Sequence, residues 1–274
     1  MSKRFGKQLL AGPYLFWMIA FTIIPLIMMG VKGLTDSQGN FTLNNLMAMG
    51  NPVNSQALIL SLELSLISTV LCLLLAYPLA LILRNMGSGS NSLIVFLFVL
   101  PMWMNFLLRT FAWQTLLEKE GVINGLLSAL GLPSINIINT PAAIVLGMVY
   151  NFLPFMVLPL YNALAKISDD VINAAHDLGA NRAQTLVRVL IPQSLPGIIS
   201  GITMVFVPAL TTFVISDILG GAKILLIGNV IEQQFTVSYD WNTGAGLSIV
   251  LMIFVLASMA LLNIFDKNGE GTVL

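Results

Sequence analysis

Six stretches of this chain stay apolar over a length that crosses a lipid bilayer, running approximately 9–30, 58–83, 92–115, 141–164, 196–218 and 244–265. A helix needs about 20 mostly apolar residues to traverse the hydrocarbon core, and in lipid it must satisfy its own backbone hydrogen bonds. Each stretch is bounded by Gly, Pro, Asn or charged residues of the kind that end helices. Only 9% of the residues are charged and 57% are hydrophobic, against roughly 25% charged in soluble domains. The expected fold class is an all-α membrane protein with six transmembrane helices in one domain over residues 1–274. The gaps 31–57, 116–140, 165–195 and 219–243 are too short to fold alone and must pack on the bundle.

The basic and acidic side chains balance at twelve each, so the chain offers no basic face for nucleic acid and no acidic tail for a cationic partner. Cys72 is the single cysteine, which rules out a disulfide framework or a thiolate metal site within the chain. Lys3, Arg4 and Lys7 precede the first apolar stretch like the start of a secretory signal. That stretch is longer than a signal's roughly 7–15 residue core and more spans follow, so it reads as a retained first span. Lys and Arg accumulate on the cytoplasmic side of membrane proteins. Six spans put Lys3, Arg4, Lys7, Arg84, Lys166, Arg182, Arg188 and Lys267 on one side, against Lys32, Arg109, Lys119 and Lys223 on the other. Both termini and the 165–195 segment are therefore expected in the cytoplasm. Pro25, Pro78, Pro101, Pro154, Pro159 and Pro208 fall within spans or at their edges, where each removes a donor and can kink a helix. They read as shape-setting, with a gating hinge as the other reading.

The segment between the fourth and fifth spans reads as two short helices around a glycine. Ser168 is placed to cap the first, with Asp169 and Asp170 at its positive end. Gly179 stops it. Asn181 and Gln184 form a capping-box pattern for the second, whose Ala183, Leu186, Val187 and Leu190 make one apolar stripe. Pro192 is expected to close the unit. The small pair Ala174–Ala175 lets another surface approach the first helix closely; lying at the headgroup boundary is the competing reading.

These residues resemble a known family. Asn173-Ala-Ala, Asp177 and Gly179, followed after nine residues by Val189-Leu-Ile-Pro192, are similar to the EAA loop of ABC importer permeases. That loop usually reads Glu-Ala-Ala, three residues, Gly, nine residues, Ile-x-Leu-Pro. The resemblance implies a type I ABC importer permease fold with a coupling loop over 166–192, and ATPase-coupling contacts at Asn173, Ala174, Ala175, Asp177 and Gly179. Asn173 replaces the usual glutamate, which implies a weaker contact with the ATPase at that position. The implied partners are a homologous second permease, two copies of a cytoplasmic ABC ATPase carrying ATP-Mg, and an extracytoplasmic substrate-binding protein. The implied location is the bacterial plasma membrane, with no cofactor in this chain. Leu100-Pro-Met-Trp-Met-Asn105 with Arg109, Val149–Tyr161 and above all Ser216–Ile231 resemble the spermidine/putrescine branch of these permeases.

Glu63 and Asp217 are acids near the outer ends of the second and fifth spans, and ionisable residues in spans commonly face protein or a water path. Carboxylates can replace hydration lost by a polycation, and Trp103, Tyr150 and Trp241 can offer aromatic faces to its ammonium groups. These five form the candidate substrate path. Snorkelling or helix-end acids and interfacial aromatics are the alternatives. Arg109 reads as a structural partner of an acid, Glu118 or Glu120, or of helix carbonyls. His176 beside Asp177 lacks a nucleophile and reads as part of a solvated or docking face. No phosphate loop is present, since Gly220-Gly-Ala-Lys223 lacks the spacing and the hydroxyl residue. Neither a His-Glu-x-x-His nor a Gly-x-Ser-x-Gly motif occurs, leaving an intramembrane enzyme without a catalytic set. A gradient-driven secondary transporter would show paired broken helices in two repeats, and no such repeat is seen.

Overall fold

A computed structural model describes residues 12–86, 100–221 and 223–265. Apart from an isolated bridge between Thr35 and Phe41, the regular structure of these residues is helical. In chain order the main helices are α1 (Gly12–Gly33), α2 (Pro52–Asn85), α3 (Phe106–Leu117), α4 (Val122–Ala129), α5 (Pro141–Ala165), α6 (Asp169–Asp177), α7 (Arg182–Gln193), α8 (Leu195–Thr211), α9 (Val214–Leu219), α10 (Ile227–Thr236) and α11 (Trp241–Phe265). Four of them, α1, α2, α5 and α11, are long and apolar enough to cross a membrane, and α7 with α8 forms a further pair bent by 67°. With 34 residues, α2 extends about 51 Å at 1.5 Å per residue, well beyond the hydrocarbon core.

Two of the expected spans differ from this picture. Residues 92–99 of the third lie outside the described residues. The remainder is a helical turn at Leu100–Trp103 and then a fresh start at α3. Asn105 causes that restart, its side chain accepting from the N–H groups of Leu107 at 2.9 Å and Leu108 at 3.2 Å as an N-cap does. The fifth span stops at Thr211, because Thr212 turns extended (φ −68°, ψ 142°) before α9 begins. Prolines leave a different mark. Within α1 and α7 a wider π turn, Ile19–Ile23 and Leu186–Leu190, stands just before or around the missing donors of Pro25 and Pro192, as π-bulges do where the regular ladder is interrupted. Pro192 thus does not close the loop: the helix runs on to Gln193, and the bend falls at Ser194.

The contacts divide the chain into two units. The first comprises residues 1–56 and 230–256. There Gly33 of α1 lies against α11: a Cβ at Gly33 would stand 3.1 Å from the Ala245 carbonyl carbon and the Gly246 nitrogen. Asn45 and Asn242 both donate to the Thr35 carbonyl, at 2.9 and 2.8 Å, tying the turn after α1 to the start of α11.

The second unit comprises residues 57–229 and 257–274. Its core runs through Ile144, Met148, Met156, Leu160 and Leu164 of α5, all fully buried, and continues into Ile215 and Leu219 of α9. Alongside Leu64, Thr69 and Leu83, the buried face of α2 carries a row of small side chains, Ala57, Ser61, Ser65, Ser68, Cys72, Ala76 and Ala80, the type that lets membrane helices approach closely. The same principle joins α5 to α8. A Cβ on Gly197 would come within 2.5 Å of the Ala163 Cβ, and one on Gly201 within 2.6 Å of the Met156 Sδ. Gly197 and Gly201 form a small-x-x-x-small face on which α5 rests.

Candidate functional site

The segment from Lys166 to Ser194 belongs wholly to the second unit. Its first helix, α6, has nine residues and buries none of them, a length that does not hold as an isolated helix in water. Its ends hold it. At the start Ser168 occupies the N-cap position with β-region angles but makes no side-chain cap bond, contrary to its expected role. The restraint comes instead from Arg84 of α2, whose Nη2 reaches Asp169 Oδ1 at 2.8 Å. At the end the Gly179 N–H donates to His176 O at 2.8 Å and the Ala180 N–H to Ala175 O at 3.0 Å. These are the two bonds of a Schellman motif, and they require the left-handed φ of +83° that Gly179 supplies. His176 Nδ1 lies 3.0 Å from Ala180 O, so that nitrogen carries the proton and His176 serves the same cap.

Of the expected contact residues, Asn173, Ala174, Asp177 and Gly179 are exposed and Ala175 is half-buried. Beside them Leu178 is 90% exposed, an apolar knob that the sequence reading passed over. The Asn181–Gln184 capping box forms as expected, with both bonds at 2.9 Å. The expected stripe of α7 is only half sheltered: Leu186 and Leu190 are partly buried, whereas Ala183 and Val187 are exposed. At the bend the Ser194 hydroxyl is buried, 3.1 Å from Tyr77 Oη of α2 and 3.2 Å from the Ile191 carbonyl to which it donates. An open groove of about 650 Å³ runs between α5 and α8 near this end, lined by Phe155, Asn162, Lys166, Gln193, Ser200 and Met204.

Within the second unit the candidate path residues stand on different elements: Glu63 on α2, Trp103 in the turn before α3, Tyr150 on α5 and Asp217 on α9. Tyr150 of α5 packs edge-on to Trp113 of α3 with centroids 5.2 Å apart, and the buried Arg109 guanidinium carbon stands 6.0 Å over its ring. One aromatic face reserved for a cation thus already has one. Glu118 and Glu120, the acids expected to hold Arg109, are exposed at the far end of α3, about 13 Å along the helix axis. Asp217 stands on α9, which packs on both α3 and α5, and accepts from Asn229 Nδ2 at 2.6 Å. Glu63 is exposed on α2 between Ile59, Leu66 and Ile67. Trp103 is 79% exposed.

Trp241 belongs to the first unit, packed edge-on to Phe235 at 5.4 Å. It lines an open groove of about 900 Å³ with Lys32, Asp36, Tyr239 and Asp240. The Asp36 carboxyl is held below the usual carboxylate range, first by the Asn40 backbone N–H and also by that of Gln38. Among the described residues no group of three or more His, Cys, Asp or Glu is arranged to hold a metal ion.

Sequence reasoning misses two positions that organise the second unit. Asn229 is buried and uses its whole amide: Oδ1 accepts from the Leu226 N–H at 3.0 Å and from the Ser216 hydroxyl, while Nδ2 donates to Phe213 O at 3.1 Å as well as to Asp217. It closes the run from Ser216 to Ile231 into a hairpin, further pinned where the Ile227 N–H donates to Ser61 Oγ at 2.8 Å. Arg84, which the sequence presents only as one of the cytoplasmic-side charges, is the other.

Comparison with known proteins extends the picture. The family described as "Binding-protein-dependent transport system inner membrane component" matches residues 5–268. The spermidine/putrescine transport system permease protein PotB of Haemophilus influenzae is 41% identical over 247 residues, 87% of this chain and 86% of that protein. PotB of Escherichia coli is 40% identical, over 86% of this chain and 89% of its own length. The inner membrane ABC transporter permease protein YdcU of Escherichia coli is 29% identical over 94% of this chain and 90% of its own length. A chain in the crystal structure of a bacterial alginate ABC transporter, in complex with an alginate pentasaccharide-bound periplasmic protein, superposes with a TM-score of 0.83 at 17% identity. That match covers 100% of this chain and 98% of the other, and the two share a fold.

Proposed function

The chain belongs to the family of binding-protein-dependent transport system inner membrane components, and we propose that it is a permease subunit of an ATP-driven polyamine importer. It forms half of the path for spermidine or putrescine. The observation that carries this reading is the 41% identity to a spermidine/putrescine permease along nearly the whole chain. The chain has six spans, the fifth built on α8. Both termini and the segment from Lys166 to Ser194 face the cytoplasm, a placement supported by the eight-to-four division of Lys and Arg.

In this reading α6 is the coupling helix. An extracytoplasmic binding protein delivers the polycation, and a homologous permease supplies the other wall of the path. Two copies of a cytoplasmic ATPase bind ATP-Mg and close, carrying α6 of each permease with them. Asn173, Ala174, Ala175, Asp177 and Gly179 meet the ATPase, and the helix that buries nothing within its own chain supplies the surface. Catalysis of ATP hydrolysis stays on the partner. Glu63 and Asp217 stand in for lost hydration of the ammonium groups, and Trp103 and Trp241 offer them aromatic faces, whereas Tyr150 lines the path without serving as a cation site. Asn229 holds the Asp217 carboxylate in one orientation, and Arg109 above Tyr150 repels a cation from that face.

The test is uptake of labelled spermidine, putrescine and an unrelated solute by the reconstituted complex. ATP-dependent entry of the polyamines alone is the expected result. Entry of the control solute in their place would make this a permease for another cargo, and uptake that survives ATP removal while an ion gradient persists would overturn the ATP-driven reading.

A further inference from the structure

Arg84 ends α2 on the protein side of the coupling segment, and its side chain is only 10% exposed. Its guanidinium spreads over four neighbours. Nε donates to Leu164 O at 3.0 Å, Nη2 to Ile167 O and Asp169 Oδ1 at 2.8 Å each, and Nη1 to Asn85 Oδ1 at 3.4 Å. Leu164 and Ile167 are among the carbonyls where the chain turns from α5 into α6, where negative helix-end charge favours a cation. Seven residues earlier, on the same face of α2, Tyr77 Oη meets Ser194 at the other end of the segment. Both ends of the stretch that carries α6 and α7 are thus fastened to one helix.

The chain itself links α6 to α5 covalently, so a displacement of α6 reaches α5 without help. No short covalent link joins it to α2. We propose that Arg84 is the positioning residue that couples α2 to the motor, making the last turn of α2, the end of α5 and the start of α6 move as one body during the ATP cycle. This rests on the reading of α6 as the coupling helix. The planar fork is suited to the task because it holds two carbonyls and a carboxylate in fixed directions at once, which the single ammonium of lysine does not do. The carboxylate partner is 84% exposed, so the ion pair adds little to stability and its value lies in alignment.

The experiment compares wild type with Arg84→Gln, Arg84→Lys and Asp169→Asn in the complete reconstituted transporter. It reads ATPase co-purification, ATP hydrolysis and polyamine transported per ATP. Arg84→Gln is expected to retain the ATPase and its hydrolysis while cargo moved per ATP falls by at least about fivefold, with Arg84→Lys intermediate. Equal loss of hydrolysis and transport, or an unchanged ratio, overturns the proposal. Should Arg84→Gln fail to assemble, Asp169→Asn decides: a lowered ratio at unchanged thermal midpoint supports alignment by Arg84, and an unchanged ratio removes it. A second readout is the distance between spin labels placed by Met86→Cys and Asp170→Cys, the native Cys72 being buried. It is expected to stay constant through ATP binding in the wild-type background and to change in Arg84→Gln; a change in both overturns the single-body motion. Failure of the wild-type chain to capture any ATPase would instead overturn the coupling-helix reading itself.

Discussion

Asn229 donates to Asp217 at 2.6 Å across a twelve-residue hairpin while its carbonyl oxygen takes two donors from the same hairpin. The amide is 1% exposed and its hydrogen-bonding capacity is filled. A buried polar group left without its partner costs about 1–3 kcal/mol, and Asn229→Ala strands the Leu226 N–H and takes the amide donor away from Asp217, while the Phe213 carbonyl keeps the Asp217 N–H. The expected outcome is a loss of roughly 1–3 kcal/mol, seen as a lower thermal midpoint in detergent, together with loss of polyamine uptake. An unchanged midpoint would show that the hairpin does not depend on this latch.

The contact between α5 and α8 offers an independent check on packing. Gly197 faces the Pro159 carbonyl oxygen at a hypothetical Cβ distance of 2.7 Å, too close for any side chain and against rigid backbone. Overpacking a membrane interface of this kind forces the helices apart at a cost of roughly 1–3 kcal/mol. Gly197→Ala is therefore expected to lower the thermal midpoint more than Gly125→Ala, because nothing lies within 4 Å of a Cβ at Gly125. Equal midpoints for the two variants would contradict the close approach.

Hydropathy makes α2, α5 and α11 legible because a long apolar run has few ways to satisfy its backbone in lipid. It does not register where a helix stops inside such a run. The break at Thr212 and Phe213 depends on an asparagine sixteen residues away that takes the Phe213 carbonyl, and the restart at α3 depends on the cap made by Asn105. Local chemistry fared well where both partners are close in sequence, as in the capping box of Asn181 and Gln184. It fared badly for Ser168, whose expected cap is replaced by an ion pair from Arg84, eighty-five residues from Asp169. Long-range partners are invisible to a reading that weighs each charge by the side of the membrane it occupies.

Gly179 separates a conformational requirement from a steric one. Its φ of +83° disfavours a side chain, yet nothing lies within 4 Å of a Cβ there. Asn tolerates the left-handed region better than a β-branched residue. Gly179→Val is thus expected to weaken ATPase capture and transport strongly, Gly179→Asn mildly, with membrane insertion intact in both. Co-purification of the ATPase with each variant checks the order. Equal behaviour of Asn and Val would mean that the Schellman turn is irrelevant to docking.

Glu63 poses the sharpest question of the path residues, because it is exposed on a face of α2 otherwise occupied by Ile59, Leu66, Ile67 and Val70. A carboxylate facing lipid at the centre of a span costs roughly 2.5–3.5 kcal/mol, so a lipid-facing Glu63 would be a burden and Glu63→Leu would raise the thermal midpoint while leaving uptake alone. A Glu63 that faces the path or the second permease gives the opposite pattern. Glu63→Gln is expected to leave insertion and midpoint unchanged, since exposed side chains away from special features shift stability by about 0.5 kcal/mol or less. Polyamine uptake at low substrate is expected to fall about tenfold, the equivalent of roughly 1.4 kcal/mol of lost cation binding. Measuring both quantities for both variants distinguishes the two environments, and normal uptake by Glu63→Gln would remove this residue from the path.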